Sequence, residues 1–264
     1  MDNFPINIEA EESATFCSNC NERIAPESRF CKYCGAIQPQ EIGASSTEEK
    51  WVAIKQLGLF FVIDAIICCV AEFTNFFKSF TWSVTIDIFL ASCAVFFFFY
   101  NWRSTKVLLN WNNFSIVKLV AYCLSAILAS LTVSFIVGWL NRALFSKVFS
   151  YYAFYEHFNY GKLMTVFFIA VMPALFEELG YRGFLLQKLL QVVDKKQAMF
   201  ISAFLFAIMH TSFISLFWLI PFGLYLAYIR MKENTLWYGV GVHFCFNFTV
   251  CVSEFYRLGH LFHH

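Results

Sequence analysis

The sequence predicts an all-α polytopic membrane protein: a bundle of about seven to eight transmembrane helices with a small cysteine-rich domain in front. Three observations predict it. Of 264 residues, 59% are hydrophobic and only 14% are charged, where a soluble domain averages about 25% charged. The apolar residues gather in blocks long enough to cross a bilayer at ~1.5 Å per helical residue. The polar sequence collects near the N-terminus, with four of the ten cysteines.

Residues 1–16 are polar and acidic, carrying Glu9, Glu11 and Glu12. That composition predicts a disordered tail and does not read as a signal peptide. Residues 17–35 follow. Cys17 and Cys20 form one C-x2-C knuckle, and Cys31 and Cys34 form a second closed by Gly35. Four thiolates at this spacing close tetrahedrally on Zn2+, with disulfides as the alternative. So short a segment buries no core, so the metal supplies its folding free energy. A full sulfur shell leaves no open position, which makes the zinc structural. The stretch resembles the short zinc ribbons found at protein termini. Residues 36–50, with Pro39, Gly43 and a Ser-Ser-Thr run, predict a linker.

A transmembrane domain is expected over residues 51–257, with spans at 51–72, 80–101, 114–140, 162–191, 197–213, 215–231 and 235–256. The fifth and sixth are short and nearly contiguous, which predicts a broken or re-entrant pair. Residues 142–160 form an eighth span if they insert. Their aromatic, charged sequence reads better as an interfacial segment. Residues 258–264, with His260, His263 and His264, read as a solvated tail. The other cysteines (Cys68, Cys69, Cys93, Cys123, Cys245 and Cys251) read as small hydrophobes. The Lys and Arg bias, which counts Arg230 on the inner side, places the N-terminus in the cytoplasm. Reduced cysteines agree with that compartment. With a net charge of +1 and no basic tract, no nucleic-acid partner is expected.

The chemistry concentrates in residues 162–191, where Glu177, Glu178 and Arg182 interrupt an apolar run. A charge at that depth costs roughly 3 kcal/mol on insertion scales. It is tolerated where charges pair, face a wet cavity or do chemistry. Glu178 and Arg182 are i and i+4 and stack on one face. Glu177 points about 100° away, with no cation one turn on. It shares its face with Tyr181 and Pro173. Pro173 cannot donate to the carbonyl of Ile169, which opens the helix ladder beside Glu177. A carboxylate left unpaired and partly desolvated is a usable proton acceptor.

Two further groups lie in the same layer. Phe206 and His210 form FxxxH; His243 and Asn247 form HxxxN at i and i+4. With the topology above, Glu177 and His210 each lie roughly 20 Å from the inner end of their span, and His243 roughly 12 Å. A carboxylate, two imidazoles and an amide in one layer read as a water-activating hydrolytic site. Asp64 and Asp87 fall at comparable depth and either join a wet cavity or bond across helices. Lys118 is expected to snorkel, and Gly180 and Gly183 to allow close helix approach.

EExxxR, FxxxH and HxxxN, in that order, resemble the signature of the CPBP intramembrane proteases. That group includes type II CAAX prenyl endopeptidases, bacteriocin-processing proteins and lysostaphin-resistance-like proteins. The resemblance covers about residues 160–250. It implies an endopeptidase that hydrolyses a peptide bond of a membrane-associated peptide or protein. It further implies Glu177 as general base, His210 holding the water or a metal, and His243 and Asn247 stabilising the oxyanion. Glu178 and Arg182 would orient the site. Members of the group are commonly described as metalloproteases. Glu177, His210 and His243 could supply a set for a catalytic Zn2+. HExxH is absent and the histidines lie on different helices, so metal dependence stays open.

The expectation is therefore a multi-pass protein of a bacterial plasma membrane, with a cytoplasmic zinc-ribbon domain. Its partners are the lipid bilayer and a peptide or protein substrate, with a protein partner of the ribbon left open. The alternative is a non-proteolytic protein of the same fold that confers bacteriocin or toxin immunity or binds a membrane partner. A proton-coupled transporter ranks last, because no inverted repeat is visible.

Overall fold

The computed structural model describes residues 15–25, 28, 30–38, 47–74, 79–111, 114–145, 150–212 and 214–256. Residues 1–14 of the expected tail, most of the linker and residues 258–264 lie outside them. The chain divides into two units, Met1–Ser45 and Ser46–His264.

In the first unit, β1 (Thr15–Phe16) pairs antiparallel with β2 (Arg23–Ile24). Thr15 and Phe16 were assigned to the tail by composition; pairing with Ile24 and Arg23 draws them into the ribbon. The two knuckles are built alike. Asn21 N–H donates to the Cys17 carbonyl, and Gly35 N–H to the Cys31 carbonyl, each at 2.9 Å. Asn21 and Gly35 take φ of 57° and 73°, the left-handed region that Asn and Gly tolerate best. This tight turn folds the second cysteine of each pair back beside the first. Cys17 and Cys34 sulfurs lie 3.6 Å apart, and Cys20 and Cys31 sulfurs 3.5 Å. All four fall within 4.8 Å of one another. A Zn–S bond of about 2.3 Å gives a tetrahedral edge of ~3.8 Å, so the set fits zinc. Gln38 braces it, donating to the Cys17 sulfur at 3.1 Å while its oxygen accepts from Ser18 N–H at 2.8 Å.

Desolvation opposes the Cys17 thiolate. Hydrogen bonds from the Cys20 and Asn19 amides outweigh it and bring that pKa down to about 6. At Cys20 a backbone hydrogen bond at Glu22 favours the thiolate. Desolvation and the three neighbouring sulfurs prevail there, pushing the pKa up to about 12. Such a cluster gives up its full set of protons only to a cation, so metal uptake releases protons and weakens as pH falls. The purified protein should carry about one zinc per chain, and Cys31→Ser should reduce that to near zero by elemental analysis. Full zinc content in that variant would rule out the four-sulfur site.

Among the described residues the second unit holds seven long helices: α1 (Thr47–Phe73), α2 (Phe80–Tyr100), α3 (Ile116–Phe145), α4 (Gly161–Leu189), α5 (Lys195–Ile208), α6 (Leu216–Glu233) and α7 (Trp237–Phe255). α1 begins inside the expected linker. Glu48 and Glu49 occupy its first turn, where unpaired N–H groups favour negative charge. By length and composition α1 to α4 can each cross a membrane. Ile66, Phe96 and Leu128 on the first three are exposed by 58–66%, as side chains facing lipid are. The chain is an integral membrane protein.

The remaining helices are shorter, at 14 residues in α5, 18 in α6 and 19 in α7. The helix in the expected span 197–213 ends early, at Ile208. An Asp194–Gln197 capping box starts α5, and Thr211 at φ 50° follows its end. Residues 142–160 make no additional long helix among the described residues. α3 runs through Arg142, and a short turn of helix, Tyr152–Tyr155, follows. Glu254 of α7 holds that turn, accepting from Tyr151 and Tyr152 N–H at 3.1 and 2.8 Å. Lys118 does reach outward, to Glu233 at 2.8 Å. Arg230, counted on the inner side, points into the bundle. It is fully buried and donates to the Gln187 side chain.

α4 is continuous but changes its ring size, becoming π-helical over Val166–Val171 and Glu178–Leu185. Such wide turns are rare and concentrate at functional sites. Pro173 lies one turn before Glu177, and the Ile169 carbonyl is capped from outside, accepting from Asn247 Nδ2 of α7 at 2.9 Å. Gly183 admits α2: a Cβ there would lie 2.7 Å from the Phe98 ring.

Candidate functional site

The site begins with the pair the i, i+4 spacing calls for. Arg182 Nη1 lies 3.2 Å from Glu178 Oε1, and both side chains are fully buried. Arg182 Nη2 donates to the Gly223 carbonyl of α6 at 3.4 Å. Its guanidinium sits 4.2 Å from the centre of the Phe206 ring of α5. One arginine thus ties α4 to α5 and α6, with the cation shielded by an aromatic face.

His243 enters from α7, 2% exposed. Its Nδ1 lies 3.1 Å from Glu178 Oε1 and its Nε2 lies 3.7 Å from Glu177 Oε2. Glu177 is therefore not the isolated carboxylate that helical spacing on α4 alone implies. An imidazole from another helix stands between the two glutamates. Gly239, one turn before His243, makes room for this: a Cβ there would lie 2.9 Å from Glu178 Oε2. Gly239→Ala should cost roughly 1–3 kcal/mol through overpacking, read as a lowered unfolding temperature in detergent. An unchanged temperature would show that the Glu178 carboxylate moves aside freely.

Glu177 differs from Glu178 in exposure. Its side chain is 33% accessible, against 0%, and it lines a cavity of about 170 Å³. The same cavity is lined by His210, Asp64, Cys68, Asp87 and Tyr181, with walls that include Phe60, Phe168, Met172, Phe176 and Phe206. His210 sits on the turn just past α5. Its Nδ1–H donates to the Phe206 carbonyl at 3.1 Å. That bond fixes the tautomer and leaves Nε2 as an acceptor when the ring is neutral. FxxxH thus has a local reason: Phe206 shields Arg182 with its ring and anchors His210 with its carbonyl.

For Asp64 and Asp87 the sequence leaves a place in a wet cavity or a cross-helix bond. Both line the cavity, and Asp64 also bonds across helices, accepting from the Tyr181 hydroxyl at 2.5 Å. An aspartate inside an apolar span was the only signal for either. His243 and Asn247 are not among the cavity-lining residues. The Asn247 amide faces the Ile169 carbonyl. Asn247→Ala should leave that half-buried carbonyl without this donor, at a cost of about 1 kcal/mol, and Asn247→Asp should fail to replace the lost donor. A variant as stable as the parent would show that the carbonyl finds another partner.

Zinc at the cysteines is a good fit. Among the described residues, only Cys17, Cys20, Cys31 and Cys34 bring three or more His, Cys, Asp or Glu ligand atoms within 4.8 Å of one another. Glu177, His210 and His243 are not among the groups gathered in this way.

Residues 159–249 match the family model of type II CAAX prenyl endopeptidase Rce1-like proteins. Residues 16–37 match that of a zinc-ribbon domain. No curated protein and no solved structure matches the chain. The first match contains Glu177, Glu178, Arg182, His210, His243 and Asn247; Asp64 and Asp87 lie outside it.

Proposed function

Because the chain carries an Rce1-like domain behind a zinc ribbon, we propose that it is an intramembrane endopeptidase acting on a membrane-associated peptide or protein. The supporting observation is the cavity that joins Glu177 to His210 inside the helical bundle. A water there donates one hydrogen to the Glu177 carboxylate and one to His210 Nε2. Its lone pair is then directed at a carbonyl entering between the apolar walls. Glu177 takes a proton as the water oxygen bonds to the carbonyl carbon and the C=O π pair moves to oxygen. On collapse the C–N bond breaks, and the leaving nitrogen takes that proton from Glu177.

The other residues hold this arrangement in place. Arg182 neutralises Glu178, Glu178 orients His243, and His243 faces the Glu177 oxygen away from the water. Asn247 braces the opened turn of α4. In this reading His243 and Asn247 are supports rather than oxyanion donors. The N-terminus lies in the cytoplasm, where the ribbon's thiols stay reduced.

The test uses the full chain in liposomes with a library of N-acylated peptides, with mass spectrometry for new termini. Internal cleavage is expected. The absence of any new terminus would overturn the peptidase reading in favour of a binding or immunity role for the same fold.

A further inference from the structure

Tyr181 is held from two helices, α1 and α5. Its hydroxyl donates to Asp64 of α1 at 2.5 Å. Its backbone carbonyl, in the π-helical stretch, accepts from Ser202 of α5 at 3.4 Å. Its ring meets Phe60 of α1 and Phe206 of α5 edge-on, with centroids 5.8 and 5.5 Å apart. Tyr181 and Asp64 are 4% and 8% exposed, so both polar ends are buried and the bond between them is hard to replace. Tyr181 follows Glu177 by four residues. The turn that aims the Glu177 carboxylate is thus pinned from α1.

We infer that Asp64 is a positioning residue of this site: by clamping Tyr181 it holds the wide turn of α4 so that Glu177 faces the cavity. The inference rests on the peptidase reading above. It also extends the site to a helix outside residues 159–249. π-helical turns are rare and concentrate at functional sites, and this one is contacted from outside by α1 and α5. Asp64 supplies the α1 contact through its acceptor oxygen rather than through its charge. The carboxamide of Asp64→Asn keeps an acceptor; the side chain of Asp64→Val does not.

The test compares Asp64→Asn, Asp64→Val, Tyr181→Phe and the double variant Asp64→Val with Tyr181→Phe. The substrate is one peptide that the parent chain cleaves. Asp64→Val and Tyr181→Phe should each lower kcat roughly tenfold to a hundredfold, the scale of a misplaced reacting group, with KM little changed. The double variant should be no slower than either alone. Asp64→Asn should restore most of the loss. A merely structural role would lower the folded fraction and leave kcat per folded molecule unchanged, which overturns the inference. Equal loss in Asp64→Asn and Asp64→Val overturns it too, since the charge would then be what acts.

A second readout does not depend on cleavage. The rate at which a hydrophobic carbodiimide labels Glu177 in liposomes should change in Tyr181→Phe and Asp64→Val but not in Asp64→Asn. An unaltered rate in all three overturns the clamp. A parent chain that cleaves no peptide counts against the peptidase reading, and the labelling then decides the clamp by itself.

Discussion

Glu177→Gln is expected to lower kcat by roughly 10²–10⁴, the usual worth of a general base, while the protein still folds. The substitution is nearly isosteric. It keeps an oxygen toward His243 and fills the same wall of the cavity. What it removes is the capacity to take a proton from water. KM should change little, because the substrate backbone does not need the carboxylate to bind. Glu178→Gln provides the contrast. Glu178 is fully enclosed by Arg182 and His243, so its loss should lower stability as well as rate. Cleavage by Glu177→Gln at more than a tenth of the parental rate would remove Glu177 from the mechanism.

Arg182→Met should be the most destabilising single change in the bundle. Removing one partner of a buried ion pair typically costs about 3–5 kcal/mol, because the other charge is left in low dielectric. Here the remaining charge is Glu178, with His243 beside it. The contact with Phe206 and the bond to the Gly223 carbonyl disappear too. Thermal unfolding in detergent should show a large drop, and unfolding of membrane-inserted protein should speed up. Replacing both partners, as in Glu178→Leu with Arg182→Met, should recover part of the loss, since a buried pair is often close to neutral against apolar residues. A change below about 1 kcal/mol in Arg182→Met would mean the pair behaves like an exposed one.

The sequence carried local relations well. The Glu178–Arg182 pair follows from i, i+4 stacking, and the need for an outside partner at Ile169 follows from Pro173. The two cysteine knuckles follow from spacing and, in the second, from Gly35; that Asn21 closes the first in the same way is seen only in the structure. Features that depend on how one helix is rotated against another were out of reach. Hydropathy gives the depth of His243 but not its azimuth, so its place between two glutamates is a tertiary fact. The π-helical turns shift the phase of α4 without altering its apolar composition. Asp64 stood out only as a polar residue in a span, since its partner Tyr181 lies 117 positions away. Arg230 counts among the inner-side charges by its place near the end of α6; its bond to Gln187 of α4, inside the bundle, is a tertiary fact.

The measurement that bears most directly on the account is an experimental map of the full chain in a lipid nanodisc, at a resolution that shows ordered water. One water should lie within about 3.2 Å of both the Glu177 carboxylate and His210 Nε2, with His243 between the two glutamates. A dry cavity, or a His210 ring turned away toward lipid, would contradict it.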